Sequence, residues 1–143
     1  MKLGIEFSRK LSLAYESMCK PLCHELKLPQ TAFDILMFLA NNPEFKTARD
    51  IVEVRKLKAN LVSVNIDKIV NEGYLIRKNV EGDRRKVQLL CTDKAQPIIS
   101  RGQQLQEHFV EQLFADIDDA TRQTIFQGMQ QMELNLNLIL EDN

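Results

Sequence analysis

The stretch that decides the fold runs from Gly73 to Thr92 and reads GYLIRKNVEGDRRKVQLLCT. Two short β-prone runs, residues 74–77 and 87–90, flank a charged tip at residues 81–86, with Gly82 at its turn. Gly73 supplies the left-handed residue that ends the helix before them. We therefore predict a β-hairpin tipped with arginine, a shape that can enter a DNA groove.

Two short amphipathic helical patterns joined by a tight turn precede the hairpin, at residues 47–71. Thr47 and Asp50 form a candidate capping box for the first of these helices, and the second is predicted over Lys58 to Asn71. The inward face of the second helix is predicted to hold Val62, Ile66, Ile69, Val70 and Gly73. Its outward face is predicted to hold Asn60, Leu61, Ser63, Val64, Asp67, Lys68 and Asn71. Helix, turn, helix and hairpin together predict a winged helix whose second helix reads the major groove.

Helical patterns also lie on both sides of this lobe. An amphipathic helix is predicted from Phe7 to about Leu26, with a kink or break near Lys20 because of Pro21. An almost wholly apolar helix, predicted as the central core helix, begins near Pro29. A long helix follows Thr92, and a last helix has an apolar seam at four- and three-residue spacing, formed by Ile125, Met129, Met132, Leu136 and Ile139. Such a seam requires a partner.

Charge is distributed unevenly along the chain. The 143 residues carry a net charge of −1, yet residues 46–86 hold 11 Lys or Arg against 6 Asp or Glu. A basic centre in an otherwise acidic chain is typical of an electrostatic footprint on phosphate. A solvated basic face is the alternative explanation for this charge.

Composition excludes several classes of protein. The hydrophobic fraction of 44% and the charged fraction of 27% are those of an ordinary globular protein. Residues 33–40, the longest apolar run, are interrupted by Asp34 and are too short to span a membrane. We expect no secretory signal at the N-terminus, and the three cysteines fit a reducing compartment. The expected location is the cytoplasm.

These motifs resemble those of the multiple-antibiotic-resistance regulator (MarR) family. The family's wing motif is D-x-R, then an apolar strand, then L-T, which Asp83, Arg85, Leu89 and Thr92 match. Gly73 and Arg77 match the preceding G-x-x-x-R. Cys91 stands in place of the usual Leu, and Val64 stands where many members have an Arg on the outer face of the recognition helix.

The resemblance covers nearly all of the chain and implies its organisation. The fold would be mainly α with a small β-hairpin wing. Residues 29–92 of the single chain 1–143 would form the winged helix-turn-helix lobe, and residues 1–28 and 93–143 a helical dimerisation region. The implied function is that of a transcriptional regulator, a repressor, that binds a pseudo-palindromic operator as a homodimer. A small-molecule effector would bind where the dimer core meets the winged lobe.

The predicted site residues are all DNA contacts. Arg85 is the expected minor-groove probe, and Asp83 is expected to hold its guanidinium in a bidentate pose. Base readout is assigned to Asn60 and Ser63, with thymine-methyl contact by Leu61 or Val64. The phosphate contacts are assigned to Lys58, Lys68, Arg77, Arg84 and Lys86.

The cysteines and histidines suggest alternative functions. Cys19 and Cys23 lie one helical turn apart, so a thiol- or metal-responsive regulator is an alternative, although core packing is the commoner role for such cysteines. The sequence has no C-x-x-C or paired-histidine metal spacing. The sequence has two histidines, no glycine-rich phosphate loop and no nucleophile elbow, so we predict no catalytic residue. A cysteine hydrolase that uses Cys23 and His108 is therefore disfavoured. No cofactor is expected. A winged helix used only for protein contact is the third alternative.

Overall fold

The computed structural model describes residues 4–142. Its elements, in chain order, are α1 (Ile5–Leu26), α2 (Gln30–Asn41), α3 (Ala48–Arg55), α4 (Ala59–Asn71), β1 (Leu75–Val80), β2 (Asp83–Cys91), a short 3-10 helix (Asp93–Ala95), α5 (Gln96–Leu113) and α6 (Asp119–Glu141). β1 and β2 form a two-stranded antiparallel sheet. The predicted fold class, helices with one β-hairpin wing, is confirmed. Across residues 4–142, every helix is too short or too polar to cross a lipid bilayer.

The chain divides into two compact units, Met1–Glu107 and His108–Asn143. The core of the first unit is centred on α2, in which Phe33, Ile35, Leu36 and Met37 are almost completely removed from solvent. α2 is apolar on nearly every side because α1, α4 and β2 all pack around it. The prediction of a central core helix beginning after Pro29 is confirmed.

Of the kink or break predicted near Lys20, the break is absent. The helix runs without interruption from Ile5 to Leu26. Proline removes one backbone donor, yet the turns on both sides keep their hydrogen bonds, and Leu22, Cys23 and Leu26 anchor the last two turns in the core. The helix ends at Lys27, whose left-handed conformation (φ 56°) lets its amide bond to carbonyls of the last turn.

The capping box predicted for α3 is present. The Thr47 hydroxyl accepts a hydrogen bond from the Asp50 amide at 3.1 Å, and the Asp50 carboxylate accepts one from the Thr47 amide at 3.1 Å. Burial by itself would raise the pKa of Asp50. The bonds within the box and one from the Lys46 amide outweigh it and hold that pKa below its ordinary value. The box fixes where the first helix of the helix-turn-helix begins.

Thr47→Ala is expected to lower the free energy of unfolding by about 1 kcal/mol, because the Asp50 amide at the start of α3 loses its acceptor. Urea unfolding followed by circular dichroism measures the difference. Thr47→Ser retains the hydroxyl and is the matched control. Equal unfolding midpoints for the Ala and Ser variants would show that the cap contributes nothing.

Candidate nucleic-acid interface

α4 presents two chemically different faces. Val62, Ile66 and Ile69 are buried, as predicted, while Val70 is half-buried because it lies at the end of the helix. The opposite face is exposed and carries the predicted contact residues Asn60, Leu61, Ser63, Val64 and Lys68. Lys58, also exposed, is the N-cap residue of the same helix. The structure therefore places all of these predicted residues on one accessible surface.

Asn65 is a buried polar residue that the sequence analysis did not assign to either face. Its side-chain amide donates a hydrogen bond to the Leu61 carbonyl at 2.8 Å, one turn earlier in α4. This bond satisfies an amide that would be costly to bury alone. Its spacing of three residues from Val62 and four from Ile69 was the available indication that it lies on the inward face.

Arg77, a predicted phosphate contact, has an ion-pair partner within the protein. It lies on β1 and forms an ion pair with Asp67 on α4. Both side chains are substantially exposed, so the pair adds little to stability, but it links the recognition helix to the wing. The partner could not be identified from sequence because ten residues separate the two side chains. Asp67 would therefore compete with a phosphate for the Arg77 guanidinium.

The wing is longer than predicted, and its basic tip forms a bulge. β1 extends to Val80 and β2 starts at Asp83, so only Glu81 and Gly82 form the turn, with Gly82 at φ 85°. The register pairs Asn79 with Val87 and then Val80 with Asp83. Three consecutive cations therefore have no partner residue on β1: Arg84, Arg85 and Lys86. All three side chains are exposed, and a bulge of this kind redirects side chains away from the regular sheet.

Asp83 contacts the backbone of Arg85 rather than its guanidinium. One carboxylate oxygen accepts a hydrogen bond from the Arg85 amide at 3.0 Å, which corrects the predicted bidentate pose. A carboxylate two residues before an amide forms a local Asx-type bond readily, because that bond orders no long side chain. Asp83 thus shapes the turn of the bulge and leaves the Arg85 side chain extended into solvent.

The base of the wing is fixed to the helices by Thr92 and Leu89. The Thr92 hydroxyl donates to the Gly73 carbonyl at 2.7 Å, and its amide donates to the Tyr74 carbonyl at 3.1 Å. The Leu89 amide donates to the Lys46 carbonyl at 2.7 Å, just before α3, and its side chain is buried. The predicted left-handed conformation of Gly73 is confirmed at φ 83°. The Leu and Thr of the wing motif therefore orient the hairpin relative to α4.

Lys78 is a basic wing residue that the sequence analysis missed. It lies on β1 opposite Gln88 and is exposed. The prediction ended the first strand at Arg77, which left Lys78 in a loop of unknown direction. The longer strand places it along the same hairpin as Arg84 and Lys86.

Cys19 and Cys23 lie in surroundings typical of cysteines that serve core packing. Cys19 and Cys23 are buried in the core of the first unit, and burial raises the pKa of both thiols, that of Cys23 to about 11. A thiol that stays protonated near neutral pH is a poor nucleophile and a poor metal ligand. Between residues 4 and 142, no three His, Cys, Asp or Glu side chains lie together in a way that could hold a metal ion.

A polar cavity of about 450 Å³ lies beside the core of the first unit. Two hydrogen bonds connect α5, α2 and α1 at its wall: Asn41 donates to Gln106 at 3.0 Å, and Gln106 donates to the Tyr15 hydroxyl at 2.9 Å. Outside the lining, Gln103 donates to Asn41 at 3.1 Å. The wall also contains Asp34, whose pKa is raised by burial. Donors, acceptors and an aromatic hydroxyl thus surround a space large enough for a small molecule.

Comparison with known proteins agrees with this geometry. Residues 26–86 match the model of the MarR family. A MarR transcriptional regulator from Methanosarcina mazei Go1 is 21% identical, with 94% of this chain and 96% of that chain covered and a TM-score of 0.81. A MarR protein from Peptoclostridium difficile is 23% identical over 94% and 90% of the two chains, with a TM-score of 0.80. A putative MarR family regulator from Listeria monocytogenes, solved in complex with a 26mer DNA, is 18% identical over 95% and 90%, with a TM-score of 0.81. At these identities the likeness establishes the fold. No protein of curated function gives a significant sequence match.

Proposed function

Because residues 26–86 match the MarR family model and the chain has the fold of MarR transcriptional regulators, we propose that it is a sequence-specific DNA-binding regulator. The observation that supports this most strongly is the exposed polar face of α4 together with three adjacent exposed cations on the bulge of the wing, which the Arg77–Asp67 ion pair links to α4. A helix for the major groove beside a basic hairpin matches the two grooves of a duplex in shape and charge. We propose that the protein is a repressor, because a dimer that covers successive grooves of a promoter blocks access of the transcription machinery.

In the proposed complex, the contacts fall into two classes. Asn60, Leu61, Ser63 and Val64 face the bases of the major groove, and Arg85 enters the neighbouring minor groove. The lysine and arginine residues around them contact phosphates: Lys58, Lys68, Lys78, Arg84 and Lys86. Asp83 acts by holding the bulge in shape.

Selection from a random duplex library, followed by fluorescence anisotropy at several salt concentrations, tests this function. We expect an enriched pseudo-palindromic site whose affinity falls with salt at a log-log slope of about −9, the value for about ten phosphates contacted by the five assigned cations of each of two copies. Failure to enrich any sequence, together with absence of binding at low salt, would contradict the proposed function and favour a role in protein contact.

The proposed operator complex requires two copies of the chain. α6 has no buried residue, and its seam residues Met129, Met132, Leu136 and Ile139 are exposed in the single chain. A helix of 23 residues with this seam is stabilised by packing against a second helical surface. A two-fold dimer would set its recognition helices about 34 Å apart, one turn of DNA.

The polar cavity of the first unit is the proposed effector site. A ligand that competes for the bonds among Tyr15, Asn41 and Gln106 would change how α1, α2 and α5 hold one another. A ligand shifts operator affinity only through its different affinities for the two arrangements. The cavity is lined largely by polar groups, so a small polar molecule fits better than a lipid.

A further inference from the structure

We propose that this protein selects A·T base pairs, with Val64 and Leu61 reading the methyl groups of thymine in the major groove. This inference rests on the proposed function, since it specifies which base pairs the α4 surface recognises. It concerns the identity of the operator.

The first observation is the exposure of two apolar side chains in the middle of the reading face. Val64 is 67% exposed and Leu61 is 42% exposed, although the other valine and isoleucine side chains of α4, apart from half-buried Val70, are buried. A separation of three residues places them side by side on the helix. The thymine methyl is the one apolar group that bases present in the major groove, so burying these side chains there favours thymine.

The second observation is that α4 has no arginine or lysine before Lys68, and that Lys58, its N-cap residue, is assigned to a phosphate. Arginine or lysine contacting guanine O6 and N7 is the commonest specific contact, and residues 59–67 contain neither. The only charged residue in that stretch is Asp67, which is already paired with Arg77. Lys68 lies in the last turn of α4, far from the N-terminal residues that enter the groove most deeply.

Asn60 contributes little to discrimination between base pairs, which therefore depends on the contacts with thymine methyl groups. Its side-chain oxygen accepts a hydrogen bond from the Leu61 amide at 2.9 Å. Bidentate pairing with adenine uses both the oxygen and the nitrogen of the amide, so that bond would have to break first. The amide nitrogen of Asn60 can only donate a hydrogen bond. Because several bases present acceptors, that bond discriminates poorly between them. Apolar contact with thymine is therefore the more selective interaction available to this face.

The wing has the same preference for a different reason. Arg85, the proposed minor-groove residue, is exposed on the bulge at its tip. A-tracts have a narrow minor groove with enhanced negative potential, which attracts arginine. Helix and wing thus favour A·T pairs at neighbouring positions, and we infer an operator that is A·T-rich both in its half-sites and beside them.

The test replaces thymine by deoxyuridine, which removes only the methyl group. The probe is the duplex enriched from the random library, with each half-site thymine replaced in turn. At one or two positions, the wild-type protein is expected to lose about three- to fivefold in affinity, the value of one buried methyl group. Val64→Ala is expected to bind the thymine duplex as weakly as the wild type binds the uracil duplex. Replacing that thymine by deoxyuridine is expected to lower the affinity of the variant no further.

Val54→Ala is the matched control, because it removes the same methyl groups from an exposed valine on α3. It is expected to retain full sensitivity to uracil, and unchanged thermal midpoints would show that both variants fold. An enriched site with G·C pairs at its centre, or wild-type affinity that uracil does not change, would overturn the inference while leaving DNA binding intact. Absence of any enriched site would instead contradict the proposed function, and this inference with it.

Discussion

Arg85→Ala is expected to weaken operator binding by about 10- to 100-fold, which corresponds to losing one or two hydrogen bonds made by a charged group. Arg85 lies at the centre of the three-residue bulge and has its backbone, not its side chain, engaged by Asp83. The guanidinium is therefore available for the minor groove, where phosphates on both sides attract it. Fluorescence anisotropy at constant salt on the enriched duplex measures the effect.

Two control variants separate this role from a general loss of charge. Arg101→Ala removes the same charge from α5, where Arg101 pairs with Glu25 at 2.7 Å, and is expected to change affinity by less than twofold. Arg85→Lys keeps the charge but loses the planar fork, so an intermediate affinity is expected. If Arg85→Ala bound no more weakly than Arg101→Ala, the assignment of Arg85 to the minor groove would be wrong.

Local sequence patterns predicted the parts of the site that depend on neighbouring residues. The Thr47 and Asp50 capping box involves residues three apart, and Gly73 and Gly82 adopt left-handed backbone that few other residues tolerate. The buried and exposed faces of α4 follow from helical periodicity alone. In each case the deciding interaction lies within a few residues of the chain, where composition and spacing are informative.

Contacts between distant residues account for what the sequence could not predict. The pairing of Arg77 with Asp67 depends on where β1 passes α4, and the bulge depends on a change of register between Asn79 and Val80. Neither has a signature in residue type. Pro21 does not break α1 for a related reason, because packing of the flanking turns outweighs the loss of one backbone donor.

Leu136→Glu combined with Ile139→Glu is expected to convert the proposed dimer into a monomer and to lower operator affinity by at least about 100-fold. Both side chains belong to the α6 seam and are more than half exposed in the single chain, at 56% and 57%. In a dimer each carboxylate would be buried against apolar groups without a partner, which costs far more than the lost apolar contact. A monomer binds one half-site and loses the effective concentration that links the two halves.

Sedimentation equilibrium and anisotropy on the enriched duplex measure mass and affinity on the same samples. Gln127→Glu combined with Gln130→Glu is the matched control, since it adds two equal charges to exposed positions on the side of α6 away from the seam. That control is expected to stay dimeric and to bind the operator within about threefold of wild type, because added surface charge acts weakly at moderate salt. If the seam variant sedimented as a dimer, or bound the full operator like the control, the α6 seam could not be the surface that joins the two copies.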